Sequence, residues 1–300
     1  MMMMAYLLLA IALQSSAPAA VEPLGRFEMG YPTPSPDGAS VAFQGNFDGR
    51  SQLYAIDVAT GRIRRLHVST HDDTHPAWSP DGTRLAFISN RDGNDEVYVL
   101  DLSSGAARSV APHPGKDGHP KWSGDGQWLV FNRTFDPNDK GGDTDSAILR
   151  VRADGSGVET ISDTRRVETF ASLSPDGRSA ALIEWFPNAV GEINRNGEIV
   201  IVDLATGARR NITNSESFDG HPYWSRSGRW IYFSAVVEGR KGREFAVHRI
   251  RPTGEGLERL TAVDGVSETR GMPSDDERWL YFNITRDGQT IIMRQPLPPG

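Results

Sequence analysis

The chain has no cysteine among its 300 residues. That excludes a disulfide framework, a thiolate metal site and a cysteine nucleophile. Lys and Arg form no cluster and the formal net charge is −7, so there is no basic groove for a phosphate backbone and nucleic acid is not an expected partner. There is no Gly-x-Ser-x-Gly, hence no sharp turn presenting a serine nucleophile. Long apolar runs are missing too, with one exception at the N-terminus. Ala5 to Leu13 is apolar and is followed by the small residues Ala17-Pro18-Ala19-Ala20. The run is too short for a comfortable membrane span. It reads as a leader over residues 1–20 that is removed on export. The expected mature body is residues 21–300, monomeric, without a membrane span, in the periplasm or secreted.

What the chain does have is a repeat. His75 to Gly82 reads HPAWSPDG, His119 to Gly126 reads HPKWSGDG and His221 to Gly228 reads HPYWSRSG; looser copies lie at Pro32 to Gly38, Ala171 to Gly177 and Pro273 to Glu277. The turn residues Gly38, Gly82, Gly126, Gly177, Gly228 and Glu277 are spaced by 44, 44, 51, 51 and 49 residues. Five residues after each comes Phe43, Phe87, Phe131, Leu182, Phe233 or Phe282. A period of this size marks one supersecondary unit used over and over.

Each unit reads as four strands. The first runs into the Ser-Pro-Asp-Gly type turn, where Pro suits the second turn position and Gly supplies the left-handed end. The second is the apolar run carrying the periodic aromatic, the third follows a loop, and the fourth is short and polar, as suits an outer edge. Four-stranded units at this period are propeller blades. The expected fold is all-β: a six-bladed β-propeller of four-stranded antiparallel blades. The sixth unit lacks a fourth strand, and Leu24 to Glu28 is the N-terminal stretch expected to supply it and close the ring. Trp78, Trp122, Trp224, Trp128, Trp230 and Trp279 recur in register and read as packing between blades.

The second unit, from Pro76 through Asp101-Leu102-Ser103-Ser104-Gly105, resembles the repeat of the TolB-like propeller family. That family's unit carries Pro-x-Trp-Ser-Pro-Asp-Gly, an apolar strand ending in Phe, and a later strand ending in Asp-Leu-x-x-Gly. The resemblance covers nearly all of residues 21–300 and lacks the small N-terminal α/β domain of TolB. It implies a six-bladed propeller. The family includes periplasmic proteins that bind partners on the propeller face, propeller halves of serine peptidases, and sugar-acid lyases that hold a metal through histidines.

Counting back from the turn residues exposes two candidate rings at one rim of the central channel. Seven residues before lie Tyr31, His75, His119, Phe170, His221 and Arg270; nine before lie Met29, Asp73, Asp117, Glu168, Asp219 and Glu268. The acidic ring has a structural reading, since carboxylates before turns accept backbone N–H bonds. Loops between second and third strands open on the same face and are long in the third unit (Phe135 to Asp145), the fourth (Phe186 to Gly197) and the fifth (Val236 to Arg243). Consecutive insertions on one face suggest an asymmetric binding surface, with Trp185 and Phe186 as contacts. Within the first of them, Asp136 to Asp145 has a partial likeness to a calcium loop, but Lys140 stands at its fifth position and solvated turn chemistry describes it better. Two functions follow. One is an exported, non-catalytic propeller that binds a protein or peptide at its loop-rich face and channel rim, with no cofactor. The other is a metal-dependent lyase or hydrolase on an acidic saccharide, with His75, His119 and His221 as ligands of a divalent metal.

Overall fold

A computed structural model describes residues 20–21, 29–46, 49–135, 146–162, 166–187, 193–239, 242–261, 266–286 and 289–298. The expected leader through residue 19, Leu24 to Glu28, and the acidic stretch 136–145 lie outside these.

The described strands form six separate four-stranded antiparallel sheets. Each of the first five is a meander of four strands consecutive in sequence, with inner strands Met29–Pro34, Asp73–Trp78, Lys116–Trp122, Val167–Leu173 and Asp219–Trp224. The sixth blade is Ser267–Pro273, Trp279–Arg286 and Gln289–Pro296, and its outer strand comes from the other end of the chain. Ala20 and Val21 pair antiparallel with Met293 and Ile292. The ring is therefore closed by an N-terminal strand, a few residues earlier than Leu24 to Glu28. Ala20, the last residue of the expected leader, is already in the ladder.

The blades are too thin to bury a core of their own, so the apolar side chains meet between them. There are six apolar clusters, one for each pair of neighbouring blades. The cluster that joins the last blade to the first sets Tyr281, Ile292 and Trp279 against Val41, Phe43 and Tyr54. Each cluster takes one of the six in-register tryptophans: Trp122, Trp224, Trp230, Trp128, Trp279 and Trp78 in turn. The periodic side chains Phe43, Phe87, Phe131, Leu182, Phe233 and Phe282 are at most 1% exposed. Burying one such ring stabilises by roughly 2–3 kcal/mol, so the repeat is legible because it encodes the core.

The turn between first and second strands is the same small device in five blades, with Ser227 standing for the aspartate in blade five. In blade two Ser79 Oγ donates to Asp81 Oδ1 at 2.5 Å and accepts from Arg84 N at 2.9 Å. Asp81 Oδ1 accepts from Thr83 N at 3.0 Å. Gly82 follows at φ +70°, a conformation that only glycine adopts without cost. In blade six Glu277 holds the corresponding place at φ +53°, compensated by its contacts to Arg229 at 3.1 Å and to the Ser227 amide at 3.3 Å in the preceding blade.

Two of the expected long loops are mostly strand. In blade four Ser179–Pro187 and Ile193–Asp203 stay paired as far as Pro187 opposite Ile193. In blade five Ile231–Gly239 and Gly242–Ile250 pair out to Gly239 opposite Gly242. Both are hairpins that overrun the sheet, favoured in blade five by the β-branched pair Val236-Val237. Among the described residues no helix is long and apolar enough to cross a membrane.

Candidate functional site: the central channel

The inner strands share one irregularity. In each, two residues oppose one residue of the second strand, and that one residue is the periodic aromatic or Leu182. In blade two Thr74 pairs with Ile88 and Ala77 with Ala86, which leaves His75 and Pro76 against Phe87. The same shift falls at Tyr31, His119, Phe170, His221 and Arg270. All six of these residues are left-handed, with φ between +52° and +59°. A bulge with a left-handed residue bends the strand and re-aims a side chain; for residues other than glycine it costs about 1–2 kcal/mol each. The neighbouring blade helps to hold it. The amides of His75, Phe170 and Arg270 donate at 3.1 Å to Gln44, Asn132 and Ser234, each six residues past the turn of the blade before.

These six side chains converge on the channel and line one cavity. They touch in sequence. Tyr31 and His75 rings are 3.9 Å apart between centroids, His75 and His119 4.4 Å, His119 and Phe170 4.2 Å, and Phe170 and His221 4.9 Å. Tyr31 also lies 5.6 Å from His119, two blades away. The Arg270 guanidinium covers the Tyr31 ring at 3.7 Å and donates to its hydroxyl at 2.9 Å. At this level the lumen is filled by side chains. They are enclosed by protein but keep part of their surface on the channel space. Burial pushes His75 down to about 3 and holds His119 and His221 well below the usual imidazole range, so all three rings are neutral at pH 7. His75 Nε2 and His221 Nδ1 have no hydrogen-bond partner among the described residues.

The acidic ring goes elsewhere. Asp73 pairs with Arg91 at 3.1 Å, and Asp117 takes a two-pronged contact from Arg133 at 2.7 and 3.0 Å. Glu168 pairs with Arg209, which also reaches Glu184. Asp219 is held by the hydroxyls of Ser215 and Thr213, and burial pushes its carboxyl up to about 6. Glu268 is buried as well, and nothing is described for the side chain of Met29. These carboxylates do not line the channel cavities. The bulge is the reason. It inserts one residue, so the position nine before the turn shares a sheet face with the position four before it, as Asp117 does with the inter-blade Trp122. Trp185 and Phe186 also point inward. Trp185 donates to Thr169 Oγ1 at 3.0 Å and stacks on Phe218, and Phe186 packs in the cluster between blades three and four. Neither is free to serve as the solvent-facing contact expected of it.

The metal reading meets the same geometry. Phe170 stands between His119 and His221 in the ring. Among the described residues no group of three or more His, Asp or Glu is placed to hold a metal ion. The three histidines therefore do not fit a common ion in this arrangement.

Counting rim positions missed a second channel layer. Five residues before each turn lie Thr33, Ala77, Lys121, Ser172, Tyr223 and Met272, and all six line a chamber at the turn end. Lys121 and Tyr223 border both cavities. Lys121 crosses the lumen from blade three to blade five, where its Nζ donates to the Pro222 carbonyl at 2.6 Å. Burial, with Arg270 nearby, pushes its ammonium down to about 7. The same counting would have found this layer; its six residue types are too varied to announce themselves.

Comparison with known proteins agrees with this fold. The profile of the TolB beta propeller domain matches residues 11–180. A putative TolB from Agrobacterium tumefaciens superposes with a TM-score of 0.66 at 21% identity over 82% of this chain and 85% of its own. TolB from Acinetobacter baumannii gives 0.54 at 20% identity over 90% of this chain and only 55% of its own. An oligogalacturonate lyase in complex with manganese gives 0.60 at 14% identity over 93% and 79%. Identities this low speak for the fold alone.

Proposed function

Since the chain belongs to the TolB β-propeller family, we propose that it is an exported, non-catalytic propeller, acting as a monomer in the periplasm or outside the cell, that binds a protein or peptide at the face carrying its overrunning hairpins. The observation that carries this reading is the asymmetry of that face. The ring needs no more than short connections to close, yet blades four and five project paired strands to Pro187 and Gly239. Beside them stands a ring of six side chains held in costly left-handed backbone. Strain that the core does not require is often kept for a site, and projecting hairpins offer backbone edges and side chains to an extended segment. The overrunning strands of blade five and Arg270 replace Trp185 and Phe186 as the residues to change.

The test is capture from envelope extracts with three proteins: the wild type, a variant with the blade-five hairpin cut back to Val236 and Phe245, and Arg270→Ala. The expected result is a partner retained by the wild type and lost or weakened at least ten-fold in the hairpin variant. A partner held equally by all three overturns the reading. The lyase reading rests on fold likeness to a manganese-containing enzyme and finds no support in the placement of His75, His119 and His221.

A further inference from the structure

The chamber at the turn end of the channel holds the amine of Lys121, which has the Tyr223 ring 5.7 Å away and no ion pair with a carboxylate among the described residues. Lys121 is enclosed, and the Pro222 carbonyl is its one hydrogen-bond partner among the described residues. An ammonium has three N–H donors, so two remain. The other residues of its layer, Thr33, Ala77, Ser172, Tyr223 and Met272, bring no carboxylate. At the mouth Arg226 reaches the opposite way, from blade five to blade three, and donates to Gly124 O at 2.5 Å. Asp275 is the one acid in the wall, and it lies within the field of Arg226. A chain of net charge −7 thus keeps two cations and one acid in a single pocket. An enclosed amine such as that of Lys121 is held as a cation more readily once a ligand supplies the counter-charge. Among its serines and Thr33 the wall carries indole and proline rings, Trp122 and Pro175 included, which offer their faces to a flat body.

We propose that this chamber binds a small monocarboxylate with an aromatic or similarly flat apolar body. Its carboxylate meets Lys121 Nζ at the waist of the channel, and Arg226 draws it in at the mouth. The site opens on the turn face, so it stands or falls separately from partner binding at the hairpin face. Around the lumen Lys121 is faced by Arg270, His119, His221 and Tyr223. Burial keeps the two imidazoles neutral and pushes the phenol up, which leaves Arg270 as the charged neighbour near pH 7.

The probe is benzoate against benzamide, followed by calorimetry and by the fluorescence of Trp122 and Trp224 beside the chamber. Wild type should bind benzoate saturably and benzamide at least ten-fold more weakly. Lys121→Met should lose at least ten-fold in benzoate affinity with its melting transition intact. A second measurement needs no variant. At pH 8.5 most of the free amine is neutral, so benzoate binding should take up close to one proton, read from the dependence of the heat on buffer ionisation enthalpy. No saturable benzoate binding, equal binding of benzamide, an unchanged Lys121→Met, or no proton uptake would each overturn the proposal.

Discussion

Arg270 lies flat on the ring of Tyr31, 3.7 Å from its centroid, and donates to the Tyr31 hydroxyl at 2.9 Å across 239 residues of sequence. The contact joins the inner strand of the last blade to that of the first, at the seam where the ring closes. A cation on a desolvated aromatic face is worth about 2 kcal/mol, and a charge-assisted hydrogen bond about 1.5–3 kcal/mol. Arg270→Met keeps the stem and removes both, so urea unfolding should show a loss of roughly 3–5 kcal/mol. Tyr31→Phe keeps the stacking and should lose about half as much. Equal losses, or none, would mean that the seam is held by its apolar cluster alone.

The left-handed ring makes an unusual prediction about glycine. In an ordinary strand glycine is less stable than alanine by about 0.5–1 kcal/mol. At His119, with φ +54°, the order should reverse, because alanine bears the left-handed penalty of about 1–2 kcal/mol and glycine does not. Both variants lose the stacking on His75 and Phe170, so their difference isolates the backbone. Chemical denaturation of His119→Gly and His119→Ala should rank glycine above alanine by around 1 kcal/mol. Alanine equal to or above glycine would show that the bulge relaxes once the ring is cut.

How far the sequence could be read follows from what each residue does. Phe87 and its counterparts recur because they pack between blades, so blade number and strand order were open to counting. The ring at Tyr31, His75 and Arg270 was legible for the same reason: it sits at a fixed distance from the turn. Counting back from the turn puts Asp117 at the channel rim, because a one-residue bulge cannot be seen in the alternation of residue types, yet it decides which way a neighbour two positions away points. Trp185 looked like a loop residue because Phe186 to Gly197 is rich in turn formers; pairing of Trp185 with Gly197 carries it into the sheet. Lys121 was passed over because its counterparts are Thr, Ala, Ser, Tyr and Met, and no pattern in one sequence marks a lysine that faces into a channel.

Asp219 offers a pH test of the buried acids. Burial raises its carboxyl to about 6, with Glu198 adding to the effect and the Ser215 and Thr213 hydroxyls opposing it. A raised acid binds its proton more tightly folded than unfolded. Its contribution is therefore favourable below the unfolded value near 4 and is lost as pH rises through 6. Asp219→Asn should be more stable than wild type at pH 8 by roughly 2–3 kcal/mol and equal to it near pH 4. The melting temperatures of the two proteins across that range would show it. A constant gap would mean that the carboxyl stays ionised throughout.

Lys121 gives the opposite slope. Its ammonium is pushed from the usual 10.5 down to about 7, first by burial and then by Arg270. A lowered base binds its proton less tightly folded than unfolded, so the folded protein is penalised in full below pH 7 and is relieved as pH rises toward 10. Lys121→Met fills nearly the same volume without the charge. It should be more stable than wild type by on the order of 3 kcal/mol at pH 6, and the gap should close by pH 10. Saturating benzoate should narrow the gap at pH 6 from the other side, by stabilising the wild type alone. A gain in Lys121→Met that ignores pH would trace to packing rather than to charge. A loss would mean that the contact with the Pro222 carbonyl, which ties blade three to blade five, outweighs the cost of the buried ammonium.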